Sequence, residues 1–378
     1  MKIGELINFL KLLPPSQSVL ILGPPGVGKS TVVRRFAELE AQRLQKEFVD
    51  YNEDDEQYEK IIDNPERYYV YIDFRLTELE PSDLIGVPRD ENGTITYKPL
   101  RWIKLCAKTA GLVFLDELTN VRREDILAAS YKLVLDRRAG FVKLSDQVRV
   151  IAAGNRPEHS TVANLLPSPL INRFAVIDVE VTLDDWLEYV NENEGGLDPR
   201  VSGYLARFPT DLYKQNGEPE TLENYPTPRS WSRLNAIIRS LSDGSDARVK
   251  EIAKSLLGHE VAEKFAAFCR LQRYLPSPEE ILKNPNVLFN KKIEEDGLTK
   301  IDLLYYAVAA VASYLSTSKA KVDDQAIIKF VEKLVDVQAD LLVVFLKLLP
   351  ASVKKRIIIQ AATLPAVQQI ASAITKYL

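Results

Sequence analysis

The sequence predicts an α/β fold: a parallel five-stranded sheet covered by helices, then an all-helical region. Three observations carry this. Short apolar runs bounded by turn residues recur at Val19–Leu22, 69–74 (YVYIDF), 112–117 (LVFLDE), 148–154 (VRVIAAG) and 174–181 (FAVIDVEV). They are apolar on both faces, as strands buried between helical layers are. Helical stretches separate them, and beyond about residue 183 the strand signals stop.

Taken in order, residues 3–13 have helical spacing, with Ile3, Leu6, Ile7, Leu10 and Leu13 on one side and Pro14 and Pro15 as the stop. The first strand follows, and a helix begins near Lys29 with Val32, Val33, Phe36 and Leu39 inward. The acidic, tyrosine-rich segment at 49–68 reads as a solvated loop or helix inserted between elements. Pro81-Ser82-Asp83 marks a helix start with Ser82 or Asp83 as N-cap. VPRDENGTITYKP reads as a hairpin around Asn92-Gly93, since Asn-Gly is the strongest short turn signal. Residues 184–272 hold a proline-punctuated linker and amphipathic helices. LPSPEEILKNPN marks a second boundary, and residues 299–378 are Ala/Leu/Ile-rich helices. The expected organisation is an αβ nucleotide-binding domain at 1–183, a linker and helical lid at 184–274, and a C-terminal helical extension at 275–378. Core packing or ring contacts account for the extension better than a partner module does.

Composition narrows the function. A net charge of −4 over 378 residues argues against a protein that coats nucleic acid. Cys106, Cys269, His159 and His259 have no zinc-ligand spacing, so the thiols read as buried in a reducing compartment. The first residues carry charges through their apolar part and lack a cleavage site, unlike a signal peptide. LLYYAVAAVASYL and LLVVFLKLLP fall short of the ~20 residues that cross a bilayer. A soluble, cytoplasmic protein with no membrane association is expected.

The stretch GPPGVGKST (Gly23, Pro24, Pro25, Gly26, Val27, Gly28, Lys29, Ser30, Thr31) fits the phosphate-binding pattern G-x-x-x-x-G-K-[ST], with a strand before it and a helix after. Glycines allow the positive φ values that turn successive backbone N–H groups around phosphate oxygens. The helix start aims its dipole at the same anion. Lys29 reaches the β- and γ-phosphates, and the Ser30 hydroxyl ligates Mg²⁺. The loop alone does not choose between kinase, GTPase and ATPase.

GLVFLDELTN does choose. It ends a strand in two carboxylates at the edge where open α/β sheets bind ligands. Asp116 is placed to hold Mg²⁺ through water, and Glu117 to polarise an attacking water. A small-molecule kinase would waste ATP with such a base. A guanine-reading Asn-Lys-x-Asp element is missing, because NKKI at 290–293 lacks the Asp. Asn155, at the tip of VRVIAAGN, is suited to orient the lytic water if the strand carrying Asp116 lies beside the phosphate-loop strand. Arg173 precedes the last strand, and Arg229 opens a helix in the second domain.

The series GPPGVGKS, EPSDLIG, FLDELTN, AAGNRP, LINRF and TPRSW, in order from about residue 15 to 270, resembles the AAA+ ATPases and, within them, the MoxR-like group. The resemblance implies that Asn155 is sensor 1, that Arg173 is an arginine finger acting on the neighbouring subunit's ATP, and that Arg229 is sensor 2. Arg137 and Arg138 compete for the arginine roles, or for lining a pore. Asn120 matches a polar family position whose role is helix capping. The resemblance further implies a homo-oligomer, a hexameric ring, using ATP and Mg²⁺ as a chaperone-like remodeller of protein clients. A von Willebrand factor A domain protein is the implied partner, and the hairpin at Glu91–Tyr97 and the loop before it are the client contact. The alternative reading is a nucleic-acid-stimulated motor or loader, because the hairpin RRAGFVKLSDQ before sensor 1 carries two arginines and a lysine.

Overall fold

The computed structural model describes residues 1–54, 56–160, 163–214, 223–241, 246–288, 297–316 and 323–361. The segment 290–293 lies outside them. The chain forms two compact units, Met1–Val181 and Thr182–Leu378.

In the first unit, α1 (Ile3–Leu12) leads to β1 (Ser18–Leu22) and α2 (Lys29–Arg43). Then come β2 (Glu47–Asp50), α3 (Tyr58–Asp63), β3 (Tyr68–Arg75), α4 (Pro81–Ile85), the hairpin β4 (Val87–Glu91) and β5 (Thr94–Lys98), and α5 (Arg101–Cys106). The unit is completed by β6 (Ala110–Asp116), α6 (Glu124–Asp136), the short hairpin β7 (Arg138–Ala139) and β8 (Val142–Lys143), β9 (Val148–Gly154), α7 (Ser168–Ile171) and β10 (Phe174–Asp178). The main sheet has the order β10-β1-β9-β6-β3-β2, and every neighbouring pair is parallel.

The sheet therefore has six strands rather than five. The added edge strand, β2, opens the tyrosine-rich segment expected to be loop or helix, and only its Val49 is buried. An edge strand with one apolar contact carries too weak a pattern to stand out from a solvated loop. The helix start also differs: Pro81 is the first helical residue and Glu80 the N-cap, with Asp83 accepting from the Glu80 backbone N–H at 2.9 Å. The hairpin turn is as expected, with φ of 57° at Asn92 and 81° at Gly93.

Two arginines, Arg149 buried and Arg137 half-buried, tie loops to this sheet. Arg149 donates to the Leu13 and Pro14 carbonyls where α1 ends, at 2.8 and 3.3 Å. Arg137 donates to the Pro15, Ser145 and Val148 carbonyls. Burial lowers both guanidinium pKa values. Arg137 is thereby a structural strut and not a free surface arginine; Arg138 stays exposed.

The described residues of the second unit form helices α8 (Leu183–Asn193), α9 (Pro199–Arg207), α10 (Pro228–Ser240), α11 (Asp246–Leu257), α12 (His259–Cys269), α13 (Pro278–Lys283), α14 (Lys300–Ser316), α15 (Asp324–Val337), α16 (Ala339–Leu348) and α17 (Ala351–Ala361). Its core centres on Tyr204, whose ring meets Trp231, Phe265 and Phe268 within 5.7 Å. The Tyr204 hydroxyl donates to Asp211 at 2.6 Å, and the Trp231 indole N–H donates to the Asp211 carbonyl at 2.8 Å. Gly203 permits close packing of α9 on α14; a Cβ there would sit 3.2 Å from the Ala309 methyl. The buried Asp302 accepts from Arg207 across the same contact at 2.7 Å. Among the described residues no helix is long and apolar enough to cross a membrane.

Neither cysteine forms a disulfide, and both are buried. Burial pushes the Cys106 thiol up to about 12, so it carries almost no thiolate at neutral pH. We expect neither thiol to react with Ellman's reagent in the native protein, and both to react once guanidinium unfolds it. Rapid labelling of native Cys106 would contradict its packing.

Candidate nucleotide site

The parallel register places three loops at one edge of the sheet. Leu22 at the end of β1 pairs with Gly154 at the end of β9, and Leu115 near the end of β6 pairs with Ala152. The strand carrying Asn155 thus lies between the phosphate-loop strand and the Asp116 strand. The adjacency of those two strands, on which the reading of Asn155 is conditioned, is therefore not met. The place of β9 brings Asn155 directly against the loop.

The loop leaves β1 and turns into α2 through Gly26 and Gly28, with φ of 76° and 94°. That region is open to glycine without strain. Lys29 opens α2, is only 9% exposed, and donates to the Gly23 carbonyl at 2.8 Å, the Pro24 carbonyl at 2.9 Å and Asn155 Oδ1 at 3.0 Å. The ammonium is held inside the loop's curve. Next to it, the Ser30 hydroxyl donates to Asp116 Oδ2 at 2.9 Å. A hydroxyl and a carboxylate in contact form a hard-oxygen pair that suits Mg²⁺, which takes few protein ligands and keeps water and phosphate oxygens. Among the described residues no group of three or more His, Cys, Asp or Glu forms an all-protein metal cage. The donor set fits a cation shared with a nucleotide.

Glu117 follows Asp116 with φ of 60° and ψ of 29°, a left-handed conformation that ends β6 abruptly. Its backbone N–H donates to Asp116 Oδ1 at 2.9 Å. Its carboxylate accepts from the Thr77 hydroxyl at 3.0 Å and lies 3.9 Å from the Arg75 guanidinium. The buried Thr119 hydroxyl accepts the Asn155 backbone N–H at 2.8 Å, fixing the start of that loop. Sequence reasoning missed Thr77, Arg75 and Thr119, because their roles arise from contacts between strand ends.

Asp73 was also missed, although a carboxylate inside the apolar run YVYIDF is itself a signal. Burial, reinforced by the charge of Asp116, pushes its carboxyl up to about 6. Tyr71 donates its hydroxyl to it at 3.4 Å.

The remaining residues lie elsewhere. Arg173 stands at the start of β10, where Phe174 pairs with Ser18 at the far end of β1. Five strand residues separate it from its own phosphate loop, about 15 Å along the sheet. Its side chain is exposed and makes no ion pair among the described residues. Arg229 lies in the second unit, exposed in the first turn of α10, which is capped by Thr227 accepting from the Ser230 N–H at 3.1 Å. Asn120 does not cap a helix: α6 starts at Glu124 with Arg123 as N-cap. Its side-chain oxygen is buried without a hydrogen-bond partner.

A phosphate loop opening a helix, a Ser–Asp oxygen pair, a following glutamate and an asparagine against the loop lysine, all at one edge of a parallel sheet, make a nucleoside-triphosphate hydrolase site. Residues 18–174 match the AAA domain family described as the dynein-related subfamily. That segment holds the phosphate loop, Asp116, Glu117, Asn155 and Arg173, and its family is an ATPase class, the one the motif series resembles. Among solved structures, Cdc6p from Pyrobaculum aerophilum is similar at 15% identity with a TM-score of 0.40, covering 94% of this chain and 93% of that one. NtrX from Brucella abortus, in complex with ATP, is similar at 15% identity with a TM-score of 0.33, covering 98% of this chain and 66% of that one. No curated protein matches the sequence.

The raised Asp73 pKa carries a stability consequence. An acid whose folded pKa lies above its unfolded value of 3.8 favours folding below about pH 4, and that contribution is lost as pH rises through about 6. At neutral pH the ionised group opposes folding. With the charge partly screened by solvent, Asp73→Asn is expected to stabilise the nucleotide-free protein at pH 7.5 by about 1 kcal/mol. It should also flatten the pH dependence between 4 and 6. Urea unfolding across pH tests both.

Proposed function

We propose that this chain is a Mg-ATP-driven remodeller of protein clients that works as a ring of identical subunits with shared active sites. The contact of Lys29 with Asn155 beside the Ser30–Asp116 pair is the observation that carries the hydrolytic part. Residues Gly23 to Thr31 cradle the phosphates with backbone N–H groups, and Lys29 reaches the β- and γ-phosphates. Ser30 and Asp116 would hold Mg²⁺, which supplies charge neutralisation on the phosphate oxygens. Glu117 takes a proton from water as general base, and Asn155 orients that water. By the family resemblance, residues 184–274 are the lid domain and Arg229 is its sensor 2 residue.

The shared-site part rests on Arg173. It lies at the sheet end remote from its own phosphate loop, so it serves a neighbour's nucleotide more readily than its own. A hexamer and a von Willebrand factor A domain partner follow from the family resemblance. The hairpin around Asn92-Gly93 faces the client.

Glu117→Gln should bind ATP with unchanged affinity and hydrolyse it at least about 10²-fold more slowly, in single-turnover assays. Near-normal turnover would remove Glu117 as the base. Arg173→Ala and Lys29→Ala chains, each nearly inactive alone, should regain phosphate release when mixed. Arginine fingers are worth about 10³-fold or more, so recovery stands clear of background. Absence of recovery across mixing ratios would place Arg173 outside a neighbour's site.

A further inference from the structure

Strand register turns Asp73 toward the Ser30–Asp116 pair. β3 and β6 pair Arg75 with Asp116 and Asp73 with Phe114. Paired residues in a parallel ladder share a face, and so do alternate residues along a strand. Asp73 and Asp116 therefore project to the same side of the sheet. Helix α2 covers that side, since its Ser30 meets Asp116 at 2.9 Å and its Arg34 meets Asp50 at 3.2 Å. Asp50 pairs with Tyr71 and so belongs to the same face. Strands lie about 4.8 Å apart and two residues span about 7 Å, so the Cα atoms of Asp73 and Asp116 stand roughly 8 Å apart.

The three carboxylates on this face are not answered alike. Asp116 accepts from the Ser30 hydroxyl and the Glu117 N–H, both at 2.9 Å. Asp50 accepts the Asn52 N–H at 3.1 Å and pairs with Arg34. The Asp73 carboxylate accepts only from the Tyr71 hydroxyl among the described residues, at 3.4 Å, which is long for an O–H···O bond. No cation pairs with it there: Arg34 is shared by Asp50 and Glu53, and Arg75 by Glu78 and Glu117. Its backbone, by contrast, is fixed. The Asn52 side chain accepts the Asp73 N–H and donates to the Asp73 carbonyl, each at 2.8 Å. A carboxylate offers about four acceptor positions. This one is held in place with most of them unfilled, and burial beside Asp116 makes its charge costly.

We propose that Asp73 is a positioning residue for the Mg²⁺ of the bound nucleotide, its carboxylate accepting hydrogen bonds from water in the ion's hydration shell. The inference rests on the reading of Ser30 and Asp116 as the groups that hold Mg²⁺. That ion dehydrates reluctantly and keeps several waters, whose protons need acceptors. Water on a dication is a strong donor and suits a carboxylate that lacks one. A nearby dication also favours the ionised form of Asp73, offsetting the repulsion from Asp116. A purely structural role fits less well, because Asp73→Asn would keep an acceptor for Tyr71 without the costly charge.

The test is fluorescence titration of the full chain with mant-AMPPNP, a non-hydrolysable fluorescent ATP analogue, in EDTA and in Mg²⁺. The quantity read is the factor by which Mg²⁺ tightens binding. Asp73→Asn should lower that factor about tenfold, the size expected for one hydrogen bond to a charged group. In EDTA the same variant should bind the analogue as tightly as the natural chain or more tightly, since one negative charge near the triphosphate is gone. Tyr71→Phe, which removes the weak donor and keeps the carboxylate, should retain the full Mg²⁺ factor. Melting temperatures of the three chains report folding separately. An undiminished Mg²⁺ factor in Asp73→Asn would overturn the proposal and leave the Ser30–Asp116 reading intact. An equal loss in Tyr71→Phe would overturn it too, because packing and not the carboxylate would then be responsible. A natural chain that binds the analogue equally in EDTA and in Mg²⁺ would overturn both readings together.

Discussion

Parallel pairing of three adjacent strands, β1, β9 and β6, governs the position of each reactive group. A parallel ladder runs every strand in the same direction, so the loops leaving all three emerge at one edge. The phosphate loop, Asn155 and the Asp116–Glu117 pair come from distant parts of the chain. They meet because Leu22, Gly154 and the end of β6 lie in register. Lys29 against Asn155, and Ser30 against Asp116, are consequences of that register. The side chains need no long reach to meet.

Charge is handled differently at the two ends of the sheet. At the reactive edge Asp73 is largely withdrawn from water and lies near the charge of Asp116, and it binds its proton more tightly. At the other end, buried Arg149 and half-buried Arg137 are held by backbone carbonyls that close α1 and the loop before β9. The first arrangement leaves a carboxylate at an unfavourable cost. The second satisfies carbonyls at a helix end and in loops that would otherwise lack donors.

The segment between β3 and α4 connects the site to the exposed hairpins. Arg75 and Thr77 touch Glu117, and Glu80 both caps α4 and pairs with Arg123 at 2.8 Å. The chain then passes directly into the β4–β5 hairpin that carries Ile95 and Tyr97. The residues that contact Glu117 and those that face outward are thus neighbours along one short stretch.

The phosphate loop was legible in the sequence because its conformation is local: glycines with positive φ, a lysine and a serine act through backbone geometry that neighbouring residues settle. The main strands and Asp116 were legible for a similar reason, since a strand buried on both faces is a continuous apolar run ending in a charge. β2 was not, because an edge strand buries almost nothing. The place of β9 between β1 and β6 was not, because hydrophobic pattern sets which residues pair with some strand but not with which one. Thr77 on Glu117, Thr119 beneath Asn155 and Phe141 against Tyr97 are contacts between segments far apart in the chain. Only the folded topology, which turns sequence distance into contact, could decide them.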